Sequence, residues 1–362
     1  MLDLWGWNPH WENFFVQLKN DRSLGVETTA EIQPGRVVRT DLNHFLLATH
    51  VGERAGEFLP HQLPQTPVPG DWVSWLPDAY DQGRAILHQI WPRRSQLSRK
   101  AAGKIGHEQV IAANMEHVFV VTSFNRDFNL NRLERYLTMV WQSGALPVIL
   151  LSKSDLEGDL TAALDLVEET APGVPVHPVS AIRRTGMEAL ATYLGPGQTV
   201  VVTGSSGVGK STLINLLRGD GGQAVGPIRD QDGRGRHTTT AKALLQLPQG
   251  GVIIDTPGLR ELSPWAGKAA LDTTFADIGA LAEGCRFRDC RHLGEPGCGV
   301  LRAVEGGELD PRRLENYHKM QREMAHLQLR EDPRGKSLER ARDKALHKII
   351  RRTLAHKRSR NR

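Results

Sequence analysis

The stretch that most restricts the fold is Gly204-Ser205-Ser206-Gly207-Val208-Gly209-Lys210-Ser211. It fits G-x4-G-K-[ST], follows the apolar run QTVVVTG (198–204) and opens the run KSTLINLLRG (210–219). Strand, glycine turn and helix in that order form a phosphate cradle. The glycines let backbone N–H groups curl around phosphate oxygens, and the helix N-terminus adds positive potential. Lys210 can reach the β- and γ-phosphates as a candidate catalytic residue, the Ser211 hydroxyl can ligate Mg²⁺, and Thr212 can donate to the α-phosphate.

Strand and helix alternate around this cradle. HVFVVTS (117–123), LPVILLS (146–152) and VPVHPVS (174–180) read as buried strands, NLNRLERYLTMVWQSG and LTAALDLVEETAP as helices between them, and KALLQLP and GVIIDTPG as further strands. The pattern predicts a doubly wound α/β domain with a mainly parallel sheet. Asp255, at the end of GVIID, can hold Mg²⁺ through water, and the Gly258 N–H can meet the γ-phosphate. Between cradle and turn, GRGRHTTT (233–240) predicts a loop in which one of Thr238, Thr239 or Thr240, with Thr239 favoured, completes the Mg²⁺ coordination when triphosphate is bound. His237 is the side chain of that loop that titrates near neutrality and is a second candidate catalytic residue, placed to orient water; the alternative is a solvated loop histidine.

A base-reading site comes earlier in the chain, the reverse of the familiar order. In Ser152-Lys153-Ser154-Asp155 the aspartate can accept from guanine N1–H and N2–H₂ while Lys153 packs along the base. Ser152 stands where an asparagine is usual, so a hydroxyl replaces an amide that reads the base and braces the phosphate loop. Ser180-Ala181 closes the next strand and can offer a backbone N–H to the guanine O6. A P-loop ATPase or small-molecule kinase would share the cradle but has no use for these two loops.

The flanks have different characters. AEIQ, GRVVRT, HFLLATH, DWVSWL and GRAILHQI, separated by Gly, Pro and Asp turns, have the spacing of a small antiparallel barrel or sandwich; five such strands suit an OB-type barrel, the alternative being a generic β domain with no ligand. PRRSQLSRKAAGKIGHEQ is a basic segment without clear periodicity. The region after 270 reads as helical, with LDPRRLENYHKMQREMAHLQL a long helix. All three cysteines fall in Cys285-x4-Cys290-x-His292-x5-Cys298, a complete tetrahedral set for one structural Zn²⁺, the alternative being separate buried thiols. Arg286, Arg288 and Arg291 interleave the ligands. The formal charge of +5 is uneven: from Arg334 onward twelve Lys or Arg face two acids, a net of +10 that leaves −5 for the rest. Such a tail suits a phosphate backbone, although charge runs are more often solvated faces. The apolar runs are too short to cross a membrane, and a cytoplasmic protein with no membrane contact is expected. A non-catalytic RNA-binding module would explain barrel, metal set and tail, yet leaves the cradle and DTPG without a use.

The order SKSD, SA, GSSGVGKST, GRGRHTTT, DTPG resembles the circularly permuted GTPases. With the β domain before it and FRDCRHLGEPGCGV after it, the chain is similar to the ribosome small-subunit-dependent GTPase A family. The resemblance implies an OB-fold barrel, with an N-terminal extension, over 1–98, a permuted P-loop GTPase domain over 99–268 and a mainly helical zinc domain over 269–330; the unusually basic tail over 331–362 departs from the family. The resemblance also implies a factor for late maturation of the 30S subunit, contacting 16S rRNA, cycling GTP and GDP, and acting as a monomer. The other reading is a permuted GTPase acting on another ribosomal or RNA target. Leu259 follows DTPG where many GTPases place a water-positioning Gln, so slow intrinsic turnover stimulated by a partner is expected.

Overall fold

The computed structural model describes residues 1–20, 32–41, 44–58, 65–77, 84–100, 108–125, 128–156, 158–219, 242–255 and 268–331. The first strands are β1 (Gln33–Asp41), β2 (His44–Thr49), β3 (Gly52–Glu57), β4 (Trp72–Pro77) and β5 (Arg84–Ile90). Their pairing runs β1-β2-β3-β5-β4 and closes through β1–β4, with β3–β5 the parallel pair. Five strands closed in this order make the expected barrel. Val37, Phe45, Leu47, Phe58, Val73, Trp75 and Ala85 fill it.

The strand count holds, but its members differ. AEIQ and GRVVRT do not make two strands: their described part lies largely in β1, and β3 is GERAGE, which no apolar alternation marks. What makes it a strand is tertiary. Gly56 lies where a Cβ would come 2.2 Å from the Ala85 carbonyl and 2.4 Å from the Phe45 ring, so the neighbouring strand and an interior aromatic demand a bare backbone there.

The aperiodic basic segment supplies β6 (Gln96–Lys100) and the start of β7 (Glu108–Ala113), which pair antiparallel. Positions 98 and 99 lie within β6. Leu97 and Ile111 are buried in a core shared by barrel and α/β sheet.

The central sheet consists of β8 (His117–Ser123), β9 (Leu146–Ser152), β10 (Val176–Val179), β11 (Thr199–Gly204), β12 (Lys242–Gln246) and β13 (Val252–Asp255). In space the order is β10-β9-β8-β11-β13-β12, parallel except for β12. Alternate residues of β8 serve two cores: Val118 and Val120 face one cluster, Phe119 and Val121 the other. That double burial is why these strands read as continuous apolar runs. Helix α1 (Pro9–Lys19) precedes the barrel, and α2 (Leu130–Ser143), α3 (Leu160–Thr170) and α4 (Lys210–Leu217) follow β8, β9 and β11.

Barrel and sheet are continuous. β1 pairs antiparallel with β12 through Arg39–Ala243 and Thr40–Lys242. Helix α1, capped by the Asn8 side chain and started by Pro9, lays Trp11 against Trp72 and Trp91, with Trp7, Phe14 and Phe15 around them.

Beyond the sheet come α5 (Lys268–Thr274), α6 (Ala276–Ala282), α7 (Gly299–Glu305) and the long α8 (Pro311–Glu331), as the helical pattern predicts. They share a core of Leu271, Phe275, Ile278, Val300, Leu314, Met320 and Met324. Buried Glu134 of α2 joins this layer to the sheet by accepting from Arg312, Arg313 and Asn316. No helix among the described residues is long and apolar enough to cross a membrane.

Candidate functional site

β9, β10, β11 and β13 run parallel, so their carboxyl ends share one edge of the sheet, where open α/β sheets bind ligands. The loop after β11 spans Gly204 to Gly209 and runs into α4. Gly204 has φ 141°, and a Cβ there would stand 2.2 Å from the Val121 carbonyl, so the loop begins against β8 with no room for a side chain. Gly209, at φ 96°, turns the chain into α4. Ser206 and Gly207 are exposed at the crest, while Val208 is buried beneath. Lys210 Nζ donates to the carbonyls of Gly204 (2.7 Å) and Ser205 (2.5 Å), which lays it along the inside of the loop. Ser211 and Thr212 lie exposed on the first turn of α4.

Asp255 ends β13, beside β11. Burial raises its pKa, opposed by the charges of Arg218 and Lys210. Arg218 was not legible as part of the site, its only signal being a cation at the end of the helix that the cradle opens. His237, Thr239 and Gly258, together with Leu259 and the basic tail, lie outside the described residues.

The base loops meet the cradle through one hydroxyl. Ser152 Oγ donates to the Val208 carbonyl at 2.7 Å, with the Thr122 carbonyl at 3.2 Å as its alternative acceptor. The smaller side chain therefore keeps the bracing contact expected of an amide, and its single proton is committed to it. Ser154 N donates to the Val179 carbonyl, tying the first base loop to the second. Asp155 Oδ1 accepts from Ser180 Oγ at 2.6 Å, and that hydroxyl holds the Asp155 carboxyl below the usual carboxylate range. Lys153 adopts φ 60° between these anchored residues, and Ala181 follows the fully buried Ser180.

The metal candidates also converge. The donor atoms of Cys285, Cys290, His292 and Cys298 all lie within 4.8 Å of one another. Sulfur bonds of about 2.3 Å in a tetrahedron imply S···S edges of about 3.8 Å; Cys285 and Cys298 Sγ stand 3.8 Å apart. His292 presents Nδ1, 3.4 Å from Cys298 Sγ and 3.6 Å from Cys285 Sγ. Backbone N–H groups of Gly299 and Leu301 point at Cys285 and Cys298 Sγ, the stabilisation that thiolate ligands need. The set fits one zinc ion, whose role would be to hold α7 and the 285–298 loop together. Glu295, passed over in the sequence although it lies between two ligands, accepts from the N–H groups of Leu293 (2.8 Å) and Arg291 (3.1 Å). The Leu293 N–H contributes most to pulling its pKa down to about 2.

With this geometry in view, similarity to known proteins is specific. A family model described as RsgA GTPase matches residues 90–265. A small ribosomal subunit biogenesis GTPase RsgA from Methanosarcina acetivorans is 42% identical over 93% of this chain and 89% of its own. The protein of that name from Opitutus terrae is 46% identical over 94% and 95%. Among solved structures, YjeQ from Thermotoga maritima superposes with a TM-score of 0.62 at 27% identity, covering 81% of this chain and 99% of its own. YloQ, a circularly permuted GTPase, shares the fold at TM-score 0.58 and 24% identity, over 82% and 96% of the two chains. Relatives more than 40% identical over nine-tenths of this chain show its family, and this chain belongs to the RsgA GTPase family.

Proposed function

We propose that this protein hydrolyses GTP during late maturation of the 30S ribosomal subunit, binding the subunit and its 16S rRNA as a monomer in the GTP state and leaving after hydrolysis. The observation that carries this reading is the convergence of two base loops and a phosphate loop, hydrogen-bonded to one another through Ser152, Ser154 and Ser180, at one sheet edge. Relatives similar over nine-tenths of their length are named as small ribosomal subunit biogenesis GTPases.

In this reading Asp155, Lys153, Ser154, Ser180 and Ala181 hold guanine, Ser152 positions the cradle, and Gly204 through Thr212 hold the phosphates. Mg²⁺ neutralises the charge developing on the β- and γ-phosphates when bound. Ser211, Asp255 through water and Thr239 would hold it, with Gly258 beside the γ-phosphate. Lys210 stabilises the transferring group and His237 orients water. Leu259 supplies no water-positioning amide, so partner contact completes the catalytic arrangement. The zinc region and the tail over 331–362 present arginine and lysine to the rRNA backbone, and the site of action is the cytoplasm.

The test is GTP hydrolysis by the full chain alone, with isolated 30S and with isolated 50S subunits. A slow basal rate raised strongly by 30S alone is expected. Equal indifference to both subunits would leave a GTPase and remove the ribosomal role.

A further inference from the structure

The second base loop does more than approach guanine. Its tip, Ile182-Arg183-Arg184, projects into solvent, and Ile182 is 82% exposed, the most exposed large apolar side chain among the described residues. Arg183 and Arg184 are exposed beside it, and neither pairs with a carboxylate among the described residues within ion-pair distance. The tip thus puts one apolar point and two solvent-facing guanidinium groups, of which Arg183 also adds positive charge near Asp155, on a body that is net acidic outside its tail.

The tip is rigidly rooted. Ser180 N donates to the Thr185 carbonyl at 3.0 Å, closing the loop as an isolated bridge. Arg183 N donates to Ser180 Oγ at 3.0 Å, and that oxygen donates in turn to Asp155 Oδ1. Below, a Cβ on Gly186 would stand 2.1 Å from the Pro178 carbonyl, so the loop's exit is wedged against β10. One fully buried hydroxyl therefore joins the solvent-facing tip to the carboxylate facing the base.

We propose that the 182–184 tip is a docking surface for an RNA strand, with the two arginines on phosphates and Ile182 against an unstacked base or ribose, and that its occupancy is coupled through Ser180 to the grip on guanine. The charge of the tip selects a polyanion, and its apolar point suits the splayed bases of single-stranded RNA. Coupling is reciprocal: RNA that raises the affinity for guanine nucleotide is itself bound more tightly, by the same factor, when the nucleotide is present. Because the loop faces the base and not the phosphates, GDP and GTP feel the effect equally. The coupling rests on the guanine-reading role of Asp155 and Ala181; the docking surface does not.

The experiment follows release of fluorescent GDP and of a non-hydrolysable fluorescent GTP analogue from the full chain, alone, with 30S subunits, and with protein-free 16S rRNA. A variant carrying Arg183→Gln and Arg184→Gln is compared with the native chain. Native protein should release both nucleotides about fivefold more slowly with rRNA, the low end of ordinary coupling. The variant should lose that slowing, keep its rate without RNA within about twofold, and bind rRNA with a log–log salt slope shallower by about 1.4 to 1.8 for two phosphates. A second variant, Ile182→Ser, should lose part of the slowing with the slope unchanged. A variant that responds like the native chain overturns the proposal. Slowing of the GTP analogue alone overturns the coupling route, since it would run through the γ-phosphate. An effect with 30S but not with protein-free rRNA overturns RNA in favour of a protein. If ATP competes as well as GTP with no RNA present, the guanine reading and the coupling fall together, and the salt slope still decides the docking surface.

Discussion

The two junctions that hold this chain together each bury an arginine and treat it in opposite ways. Between barrel and sheet, Arg36 of β1 is 1% exposed and is held by neutral oxygens: the carbonyls of Trp5, Gly70 and Asn114 and the Thr199 hydroxyl, with the Trp72 ring 5.1 Å away. Burial pushes its pKa down to about 10 against the pull of Glu116 and Asp71. Between the sheet and the helices around the Cys₃His set, Arg313 of α8 is 4% exposed and meets two carboxylates, Glu134 at 2.9 Å and Asp277 through both oxygens, besides the Thr170 and Thr274 carbonyls. Burial opposes this charge too, but Asp277 and Glu134 outweigh it and the pKa is raised. The first junction is already closed by Trp7, Trp11, Trp72 and Trp91 and by the β1–β12 ladder, and its cation satisfies carbonyls left over. At the second, the ion network itself connects α2, α5, α6 and α8.

Four experiments can break this contrast or sharpen it. The largest effect is expected from chelating the ion that the Cys₃His set would hold, since a structural zinc supplies on the order of 10 kcal/mol to small metal modules. Backbone amides over 285–305 should then lose hydrogen-exchange protection while those of the barrel keep theirs; retained protection would show that apolar packing alone closes the region. Next comes Trp72→Ala, which empties the aromatic junction and should cost about 3–5 kcal/mol in urea unfolding. A loss below about 1 kcal/mol, against that range, would mean that the strand ladder carries the junction instead.

Arg313→Met should follow at about 3 kcal/mol, because it strands buried Glu134 with a weaker set of partners. Adding Glu134→Gln should recover about 1 kcal/mol of that loss, a coupling readable from the double-mutant cycle. The smallest effect is expected from Arg36→Met, about 1–2 kcal/mol, since the lost hydrogen bonds are partly offset by relief of a desolvated charge. Equal losses from Arg36→Met and Arg313→Met would abolish the distinction between the two junctions.

Both arginines also mark where sequence reading stops. HVFVVTS and LPVILLS declared themselves as strands because both faces of the sheet are buried, and their observed bounds match. GSSGVGKST declared its strand, turn and helix because glycine, lysine and serine have few other uses at that spacing. The β3 strand GERAGE was invisible because its place depends on Phe45 and Ala85. Helix α1 was invisible because its aromatic face is completed by Trp72 and Trp91, far along the chain. Ser152 read as a loss of the bracing amide, and only its distance to Val208 shows that the hydroxyl keeps the contact.

What the sequence determined by itself is local and chemical: which residues can wrap phosphate, accept from a guanine edge or ligate zinc, and which segments must be buried on two faces. Those properties follow from side-chain type and short-range period, which the chain carries wherever it folds. Tertiary structure alone decided that β1 extends the central sheet through β12, that Arg36 and Glu134 are interior, and that Ser180 ties a solvent-facing tip to Asp155. Each of these depends on which distant segment supplies the acceptor or the covering ring, and a charged side chain looks the same in sequence whether water or a buried carbonyl completes it.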